Sequence, residues 1–200
     1  MNNMINLFLK IFAALALLLI SPVVILSMVF IYIEDGLPLF FLQDRLGLNK
    51  KIFKIYKIRT MFNETPDLGT HEVNEKQYLK IGHFLRKLKI DELPQIFNYI
   101  KGDINLIGPR PGLPSQNELL LCRDSYNIYD VTPGISGLSQ VLGYDMSNPY
   151  LLSKIDKLYI DQKSLRLDIM ILIATFYYPF RQKLAIRFKE KISEYKKEKQ

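Results

Sequence analysis

The sequence predicts a small, mostly helical α+β fold with short strands that is attached to a membrane. Three observations support this prediction. Residues 11–33 contain no charged residue. Residues 39–42 and 51–61 are apolar or rich in β-branched and aromatic residues, which is typical of strands. Apolar residues then recur at helical spacing from residue 75 onward.

The chain is basic, with a formal net charge of +7 over 200 residues. This balance indicates an anionic partner, which could be lipid headgroups, nucleic acid or a phosphorylated substrate. The single cysteine, Cys122, excludes an internal disulfide. No Cys/His cluster is present, which argues against a structural zinc site.

The apolar run at residues 11–33 would form about 35 Å of helix, enough to cross a bilayer core. It is long for a signal sequence and lacks a cleavage site, so we expect a permanent membrane segment. Pro22, after Ser21, removes the N–H that would bond the carbonyl of Leu18, which predicts a kink. The helix could span with a bend, which the residues alone favour, or turn back at Ser21 and Pro22.

The strand predicted at residues 51–61 carries a series of cations, Lys51, Lys54, Lys57 and Arg59. A strand of this kind could hold a pyrophosphate or lie against anionic lipid. It could equally be a solvated edge strand protected by lysines. Cations soon after residue 33 favour a cytoplasmic location for the chain that follows.

Residues 63–74 are polar and contain Pro66 and Gly69, which predicts a mobile loop. Residues 75–88 then predict an amphipathic helix whose apolar face is Ile81, Phe84, Leu85 and Leu88. Arg86 lies five residues before Asp91, close enough to share its site once the chain turns.

Adjacent carboxylates, Asp91 and Glu92, precede an apolar face formed by Leu93, Ile96, Phe97 and Ile100. Asp91 suits a helix N-cap, and Gly102 suits the helix end. At a helix N-terminus, the helix dipole and the unpaired N–H groups favour an ionised Asp91 and also attract phosphate. Asp91 could therefore attack phosphorus. Taken alone, the stretch favours the simpler interpretation, in which Asp91 is a cap and Glu92 a first-turn acid.

Two glycine-containing loops follow. In the first, residues 108–112, two prolines hold the backbone around Arg110, and a fixed guanidinium suits bidentate contact with phosphate. The second, residues 132–141, is expected to enter a short strand. Its glycines would allow either a ligand to approach the backbone or tight turns.

The C-terminal part predicts further helices. Residues 150–159 form one, which carries Asp156 and Tyr159. Residues 165–180 are strongly apolar and are followed by many cations, which suits an amphipathic helix at the headgroup boundary. A buried core helix is an equal alternative, and a second span is disfavoured by Asp168 and by the length.

Several of these motifs occur in a characteristic order: Ser21-Pro22, Lys-Ile-Tyr-Lys-Ile-Arg-Thr-Met at residues 54–61, Arg86, Asp-Glu-Leu-Pro-Gln at 91–95, Lys-Gly-Asp at 101–103, Gly-Pro-Arg-Pro at 108–111 and Pro-Gly-Ile-Ser-Gly at 133–137. Together they closely resemble the bacterial sugar transferase family, the monotopic phosphoglycosyl transferases. The absence of additional N-terminal spans suggests the small form of that family.

The resemblance implies transfer of sugar-1-phosphate from a UDP-sugar to undecaprenyl phosphate with release of UMP, the first membrane step of polysaccharide or glycoconjugate synthesis. It implies that Asp91 is the nucleophile and forms a phosphosugar–enzyme intermediate. It also implies that Glu92 binds the Mg²⁺ cofactor. Cations are expected to bind the substrate phosphates: Arg86, Arg110, Lys57, Arg59 and Arg45. Asp156, Tyr159 and Asp168 match family positions without assigned roles. No nucleic-acid partner is expected.

The resemblance also implies that the Ser21-Pro22 helix is re-entrant. Residues 1–35 would dip into one leaflet and return. Residues 36–200 would form a cytoplasmic catalytic domain at the bacterial inner membrane, with C-terminal helices on the membrane surface. The oligomeric state is not predicted.

The chain departs from the family pattern after Gly137. Leu138 and Tyr144 stand where many relatives have tryptophan and arginine, and Thr132 stands where arginine is common. Nucleotide contacts at these positions are therefore in doubt, and the donor sugar stays open. Two other functions compete with the transferase: a non-catalytic membrane adaptor of glycan assembly, and a lipid-phosphate phosphatase with water as the acceptor.

Overall fold

The computed structural model describes residues 2–65 and 74–198. It is a mixed helix-and-strand structure, as the sequence predicts. Two compact units are present. The N-terminal unit comprises Met1–Asp44 and Lys54–Gly102, and the C-terminal unit comprises Arg45–Phe53 and Asp103–Gln200.

The N-terminal unit begins with a long helix, α1 (Asn2–Asp35), and also contains α2 (Lys80–Lys87) and α3 (Gln95–Lys101). Two strands, β1 (Phe40–Leu46) and β2 (Ile52–Ile58), pair with each other, and the tip of their hairpin is grouped with the C-terminal unit. A buried apolar cluster joins α1 to β2 and α2, through Ile31, Ile58, Leu79 and Leu85.

Helix α1 contains the apolar segment predicted from the sequence. Among the described residues it is the one helix long and apolar enough to cross a membrane, over Lys10–Asp35 with a mean hydropathy of 2.8. The helix continues through Pro22. The hydroxyl of Ser21 donates a hydrogen bond of 2.7 Å to the carbonyl of Leu18. Ser21 therefore satisfies the carbonyl for which Pro22 has no N–H.

Both ends of the apolar segment contact polar groups of the N-terminal unit. Lys10 Nζ donates to the carbonyl of Ile100, at the end of α3, over 2.9 Å. At the other end, Asp35 accepts from the Arg59 guanidinium over 2.6 Å. The preceding residue, Glu34, accepts from the backbone N–H of Lys80 at the start of α2.

Besides the hairpin tip, the described residues of the C-terminal unit form two short strands and five α-helices. Strands β3 (Asn105–Ile107) and β4 (Gly134–Ser136) pair in parallel, with Asn105 opposite Gly134 and Ile107 opposite Ser136. The helices are α4 (Asn117–Ser125), α5 (Leu138–Val141), α6 (Pro149–Asp161), α7 (Leu165–Phe176) and α8 (Tyr178–Lys197). Side chains from α5 to α8 form the main apolar core.

The two glycine-containing loops meet in this unit. A Cβ added to Gly134 would lie 2.1 Å from the backbone nitrogen of Gly108, and one added to Gly137 would lie 2.3 Å from the Gly108 carbonyl oxygen. Such distances are prohibitive, so Gly134 and Gly137 allow one backbone segment to pack on another. Neither a tight turn nor a bound ligand, the two predicted reasons, is needed to explain them.

Helix α7 is apolar on two sides. It buries Leu167, Ile171 and Ala174, while Leu165 and Phe176 are more than three-quarters exposed. Part of the segment is therefore core helix, as one of the two interpretations expected. The exposed side is compatible with the other interpretation, in which the helix lies at a membrane surface, and that placement stays a prediction.

Several predicted boundaries differ from the structure. The helix expected over residues 75–88 begins only at Lys80, after a 3-10 helix at Glu75–Gln77. The loop expected over residues 132–141 instead contains the strand β4 and the helix α5. Helix α4 was not predicted. The mobile loop predicted for residues 63–74 lies largely outside the described residues.

Candidate active site

Asp91 and Glu92 lie on a short 3-10 helix, Ile90–Glu92, that precedes α3. Lys89 introduces it in the left-handed conformation with φ of 57°. Helix α3 itself begins at Gln95 with Pro94 as its N-cap. The prediction that Asp91 caps this helix is therefore wrong, because a separate turn carries the two carboxylates. Gly102 ends α3 with φ of 88°, as predicted.

The two carboxylates have different environments. Asp91 is buried, with 6% of its surface exposed. Glu92 faces β2, where its Oε1 lies 3.5 Å from Nζ of Lys57. Those two side chains are only 16% and 13% exposed, so their ion pair is largely shielded from solvent. One of the cations predicted to bind phosphate is therefore beside the predicted metal ligand.

Helix α3 docks on β2 through a side chain that sequence analysis missed. Asn98 is fully buried. Its Oδ1 accepts from the backbone N–H of Tyr56 over 3.1 Å, and its Nδ2 donates to the carbonyl of Lys54 over 2.7 Å. The amide thus takes the place of a neighbouring strand and ties the carboxylate-bearing segment to β2.

The buried face of α3 is not the apolar face predicted from the sequence. The structure buries Gln95, Asn98 and Tyr99, whereas Phe97 is about half exposed. Gln95 Nε2 is buried without a hydrogen-bond partner among the described residues. Helix α2 buries Leu85 of its predicted apolar face but leaves Phe84 about half exposed. Phe84 and Phe97 are therefore apolar side chains at the surface of this unit.

Arg86 and Arg59 belong to the same unit as Asp91. The Arg86 guanidinium lies 5.1 Å from the ring centroid of Tyr78. Arg59 is 4% exposed and donates to the Asp35 carboxylate and to the carbonyls of Asp35 and Gly36. These contacts give Arg59 a structural role at the end of α1. We do not propose a phosphate contact for it.

The other predicted site residues belong to the C-terminal unit. Arg110 is half-buried on the loop after β3. Arg45 is 8% exposed and donates to the carbonyl of Pro111 over 3.0 Å, so it supports that loop. Asp156 accepts hydrogen bonds from Arg123 and from Ser139. Burial raises the pKa of the Asp156 carboxyl, against the lowering effects of Arg123 and Ser139.

Tyr159 is part of the packing between α6 and α7. Its hydroxyl donates to Asp168 Oδ1 over 2.7 Å. Burial and this hydrogen bond raise the pKa of Tyr159, so the phenol remains a donor at neutral pH. The contact gives Tyr159 and Asp168 a structural role.

The residues present fit one mode of magnesium binding. No group of three or more His, Cys, Asp or Glu side chains arranged to hold a metal ion occurs within residues 2–65 and 74–198. Mg²⁺ is commonly held by one or two carboxylates together with substrate phosphates, and so needs no such cluster. Glu92, directly after Asp91 on the same turn, is the candidate for that carboxylate.

The chain is similar to several known proteins. It is 38% identical to the uncharacterized sugar transferase EpsL of Bacillus subtilis, over 82% of this chain and 81% of that protein. It is 37% identical to a UDP-N-acetylgalactosamine-undecaprenyl-phosphate N-acetylgalactosaminephosphotransferase of Aeromonas hydrophila, over 82% of this chain and 40% of that protein. It is 33% identical to a UDP-glucose:undecaprenyl-phosphate glucose-1-phosphate transferase of Caulobacter vibrioides, over 82% and 64%.

The chain thus spans most of one relative and less than two thirds of the other two. The family model described as bacterial sugar transferase matches residues 1–182. This match includes α1, both carboxylates, the loop around Arg110 and Asp156. The chain belongs to the bacterial sugar transferase family.

Proposed function

We propose that this enzyme transfers sugar-1-phosphate from a UDP-sugar to undecaprenyl phosphate and releases UMP, with Asp91 as the nucleophile. One observation carries the proposal. Asp91 is a buried carboxylate directly beside Glu92, which is paired with Lys57. Relatives named as undecaprenyl-phosphate sugar-phosphate transferases support the reaction class.

The reaction would proceed in two displacements at one phosphorus atom. An Asp91 carboxylate oxygen forms a bond to the phosphorus that carries the sugar, and the bond from that phosphorus to the bridging oxygen breaks, so UMP leaves. A phosphate oxygen of the lipid then bonds to the same phosphorus, and the bond to Asp91 breaks. Both attacking oxygens are anionic, so neither attack needs a general base.

Burial of Asp91 favours transfer over hydrolysis. With 6% of its surface exposed, the carboxylate is shielded from bulk water. A phosphosugar attached there would meet few water molecules before the lipid arrives. This supports the transferase over the phosphatase alternative, in which water must reach the same phosphorus.

Glu92 would bind the metal ion, and Lys57 would provide positive charge next to it. Glu92 would hold Mg²⁺ together with substrate phosphate oxygens. When bound, the ion neutralises charge on the pyrophosphate. Lys57 is within 3.5 Å of Glu92, which places its ammonium group beside the same carboxylate. Arg86 and Arg110 are the further cations for which we propose phosphate contacts.

A re-entrant α1 is part of the proposal. If Lys10–Asp35 spanned a bilayer, its two ends would lie on opposite sides of the membrane. In the structure, Lys10 bonds to α3, and Asp35 bonds to Arg59 after β2. Contact of both ends with the polar part of one unit supports their location on one side of the membrane.

The surface near the carboxylates supports a location at the headgroups. Phe84, Leu88 and Phe97 are each at least half exposed in the unit that contains Asp91. Exposed apolar groups of this kind are stabilised by contact with lipid. With the cations after residue 33, they support a catalytic domain on the cytoplasmic face of the bacterial inner membrane.

A labelling experiment tests the function. The purified protein, with Mg²⁺ and UDP-sugars labelled in the sugar, is quenched, digested and analysed by mass spectrometry. We expect a sugar-phosphate adduct on the peptide that contains Asp91, and UMP in solution. Asp91→Asn should abolish both. Asp44→Asn, at an exposed carboxylate paired with Lys54, is the matched control and should retain both.

The outcomes separate the alternatives. An adduct on another residue would remove Asp91 as the nucleophile. Free sugar phosphate without lipid product would indicate the phosphatase, and unchanged function of Asp91→Asn in cells would indicate the adaptor. For topology, single cysteines at Asn3 and Lys50 should both be labelled from the cytoplasmic side, and labelling of position 3 from outside would show that α1 spans.

A further inference from the structure

The backbone of the loop after β3 is held by hydrogen bonds at four successive carbonyls. The acceptors are residues 109–112, and each has a different donor: Gly134 N to Pro109 O at 2.9 Å, Arg123 Nη1 to Arg110 O at 2.7 Å, Arg45 Nη1 to Pro111 O at 3.0 Å, and Leu46 N to Gly112 O at 3.0 Å. The fixed φ of the two prolines adds to these restraints. This backbone has little freedom to reorient.

Arg123 provides the bond to the carbonyl of Arg110, the residue of this loop for which a phosphate contact is proposed. One arm of its guanidinium reaches the Arg110 carbonyl, and Nη2 donates to Asp156 Oδ2 over 2.7 Å. Ser139 Oγ donates to the other carboxylate oxygen of Asp156 over 2.8 Å. Two helices, α4 and α6, are thereby joined to the loop through one planar group.

The pair is unusual because both charges are buried. The side chains of Arg123 and Asp156 are each 2% exposed. Removing two charges from water costs about as much free energy as their attraction returns, so such a pair is poorly explained by stability alone. It does fix geometry, because a guanidinium donates along rigid directions to two acceptors at once.

Asp156 also balances charge. Arg45 and Arg123 both approach the carbonyls of a loop whose own side chain, at Arg110, is cationic. Without a carboxylate, a buried Arg123 would oppose the charge of Arg110 in a medium that screens poorly. The Asp156 carboxylate neutralises the charge of Arg123. The positive charge of Arg110 is then not opposed by a second, buried cation.

We propose that Arg123 and Asp156 are positioning residues, which fix the backbone of Arg110 so that its guanidinium meets a phosphate group of the substrate in one orientation. The inference rests on the proposed function, since that function supplies the phosphate for Arg110. It assigns a role to Asp156, and to an arginine that no motif in the sequence marks.

A double-mutant cycle on the full chain in lipid nanodiscs tests this role. Arg123→Lys keeps the charge but cannot span both acceptors. We expect it to lower kcat/KM for the UDP-sugar at least tenfold, mainly through KM. In an Arg110→Ala background the same change should alter kcat/KM less than twofold, because the group being positioned is absent. Arg166→Lys, at an exposed arginine, is the matched control and should have no effect.

Asp156→Asn is carried through the same two backgrounds, so that poor folding of one variant does not decide the result. Thermal unfolding of every variant is measured in parallel. Equal losses of kcat/KM with and without Arg110 would overturn the proposal, since the pair would then act on the fold as a whole. Absence of UMP release from the unmodified protein with every UDP-sugar would instead refute the proposed function.

Discussion

The ammonium nitrogen of Lys57 lies 3.5 Å from a carboxylate oxygen of Glu92, and both side chains are less than one fifth exposed. Strand β2 carries a second lysine, Lys54, whose ion pair with Asp44 is 60% and 51% exposed. The same type of ion pair is thus present twice on one strand, once shielded and once solvated. Ion pairs of the solvated kind contribute little to stability.

We therefore expect different results for two matched substitutions. Lys57→Met should lower kcat/KM at least tenfold and reduce the free energy of unfolding by about 1–2 kcal/mol, because Glu92 loses a shielded cation. Lys54→Met should change the free energy of unfolding by less than about 0.5 kcal/mol and leave activity unaltered. UMP release and thermal unfolding measure the two effects. Equal behaviour of the two variants would show that the Glu92 contact has no particular role.

The Mg²⁺ concentration that the enzyme needs for activity should depend on Glu92. Removal of the ion with EDTA should stop UMP release, and added Mg²⁺ should restore it. Glu92→Gln should raise the Mg²⁺ concentration for half-maximal activity at least tenfold, because a neutral amide is a weaker ligand for a hard cation. Glu118→Gln, at an exposed glutamate of α4, serves as the control. An unchanged Mg²⁺ titration for Glu92→Gln would assign the metal to other groups.

The sequence predicted the parts of this fold that follow from local chemistry. The apolar helix α1, the end of α3 at Gly102 and the helix that contains Asp156 were all found. Each has a local cause in the structure: a long uncharged run, the positive φ of Gly102, and a helix start at Asn148, whose side chain accepts from Leu151 N. The family resemblance is confirmed by the comparisons, whereas the roles that it implies for Asp91 and Glu92 stay predictions.

Long-range contacts could not be predicted in this way. Periodicity indicated that the face with Phe97 is buried, yet α3 buries Asn98 because its amide meets the unpaired edge of β2. Likewise, no pattern separates Arg59, which bonds to Asp35, from cations available to a phosphate. In a membrane protein, an apolar helix face can meet lipid as well as core, so periodicity does not identify the buried side.

Asn98 should be required for the position of the carboxylate segment. Asn98→Asp replaces the donor toward the Lys54 carbonyl with an oxygen, and Asn98→Leu removes the acceptor for Tyr56 N–H as well. Each should reduce the free energy of unfolding by about 2 kcal/mol, because buried backbone groups lose their partners. Asn117→Leu, at an exposed asparagine, should have little effect. Normal stability of Asn98→Asp would show that the amide contact with β2 is dispensable.

The hydroxyl of Ser21 should stabilise α1 more than that of Ser27, although each donates to a carbonyl of the preceding turn. The carbonyl reached by Ser27, that of Val23, can also accept the helical N–H of Ser27 itself. The carbonyl reached by Ser21, that of Leu18, has no such alternative, because residue 22 is proline.

Ser21→Ala should therefore cost about 1 kcal/mol or more of stability in lipid nanodiscs, and Ser27→Ala clearly less. The double variant Ser21→Ala with Pro22→Ala should recover the loss, since residue 22 then supplies the missing N–H. Thermal unfolding midpoints at fixed lipid composition measure all three. If the double variant stays as unstable as Ser21→Ala, the hydroxyl acts through packing and not by satisfying the Leu18 carbonyl.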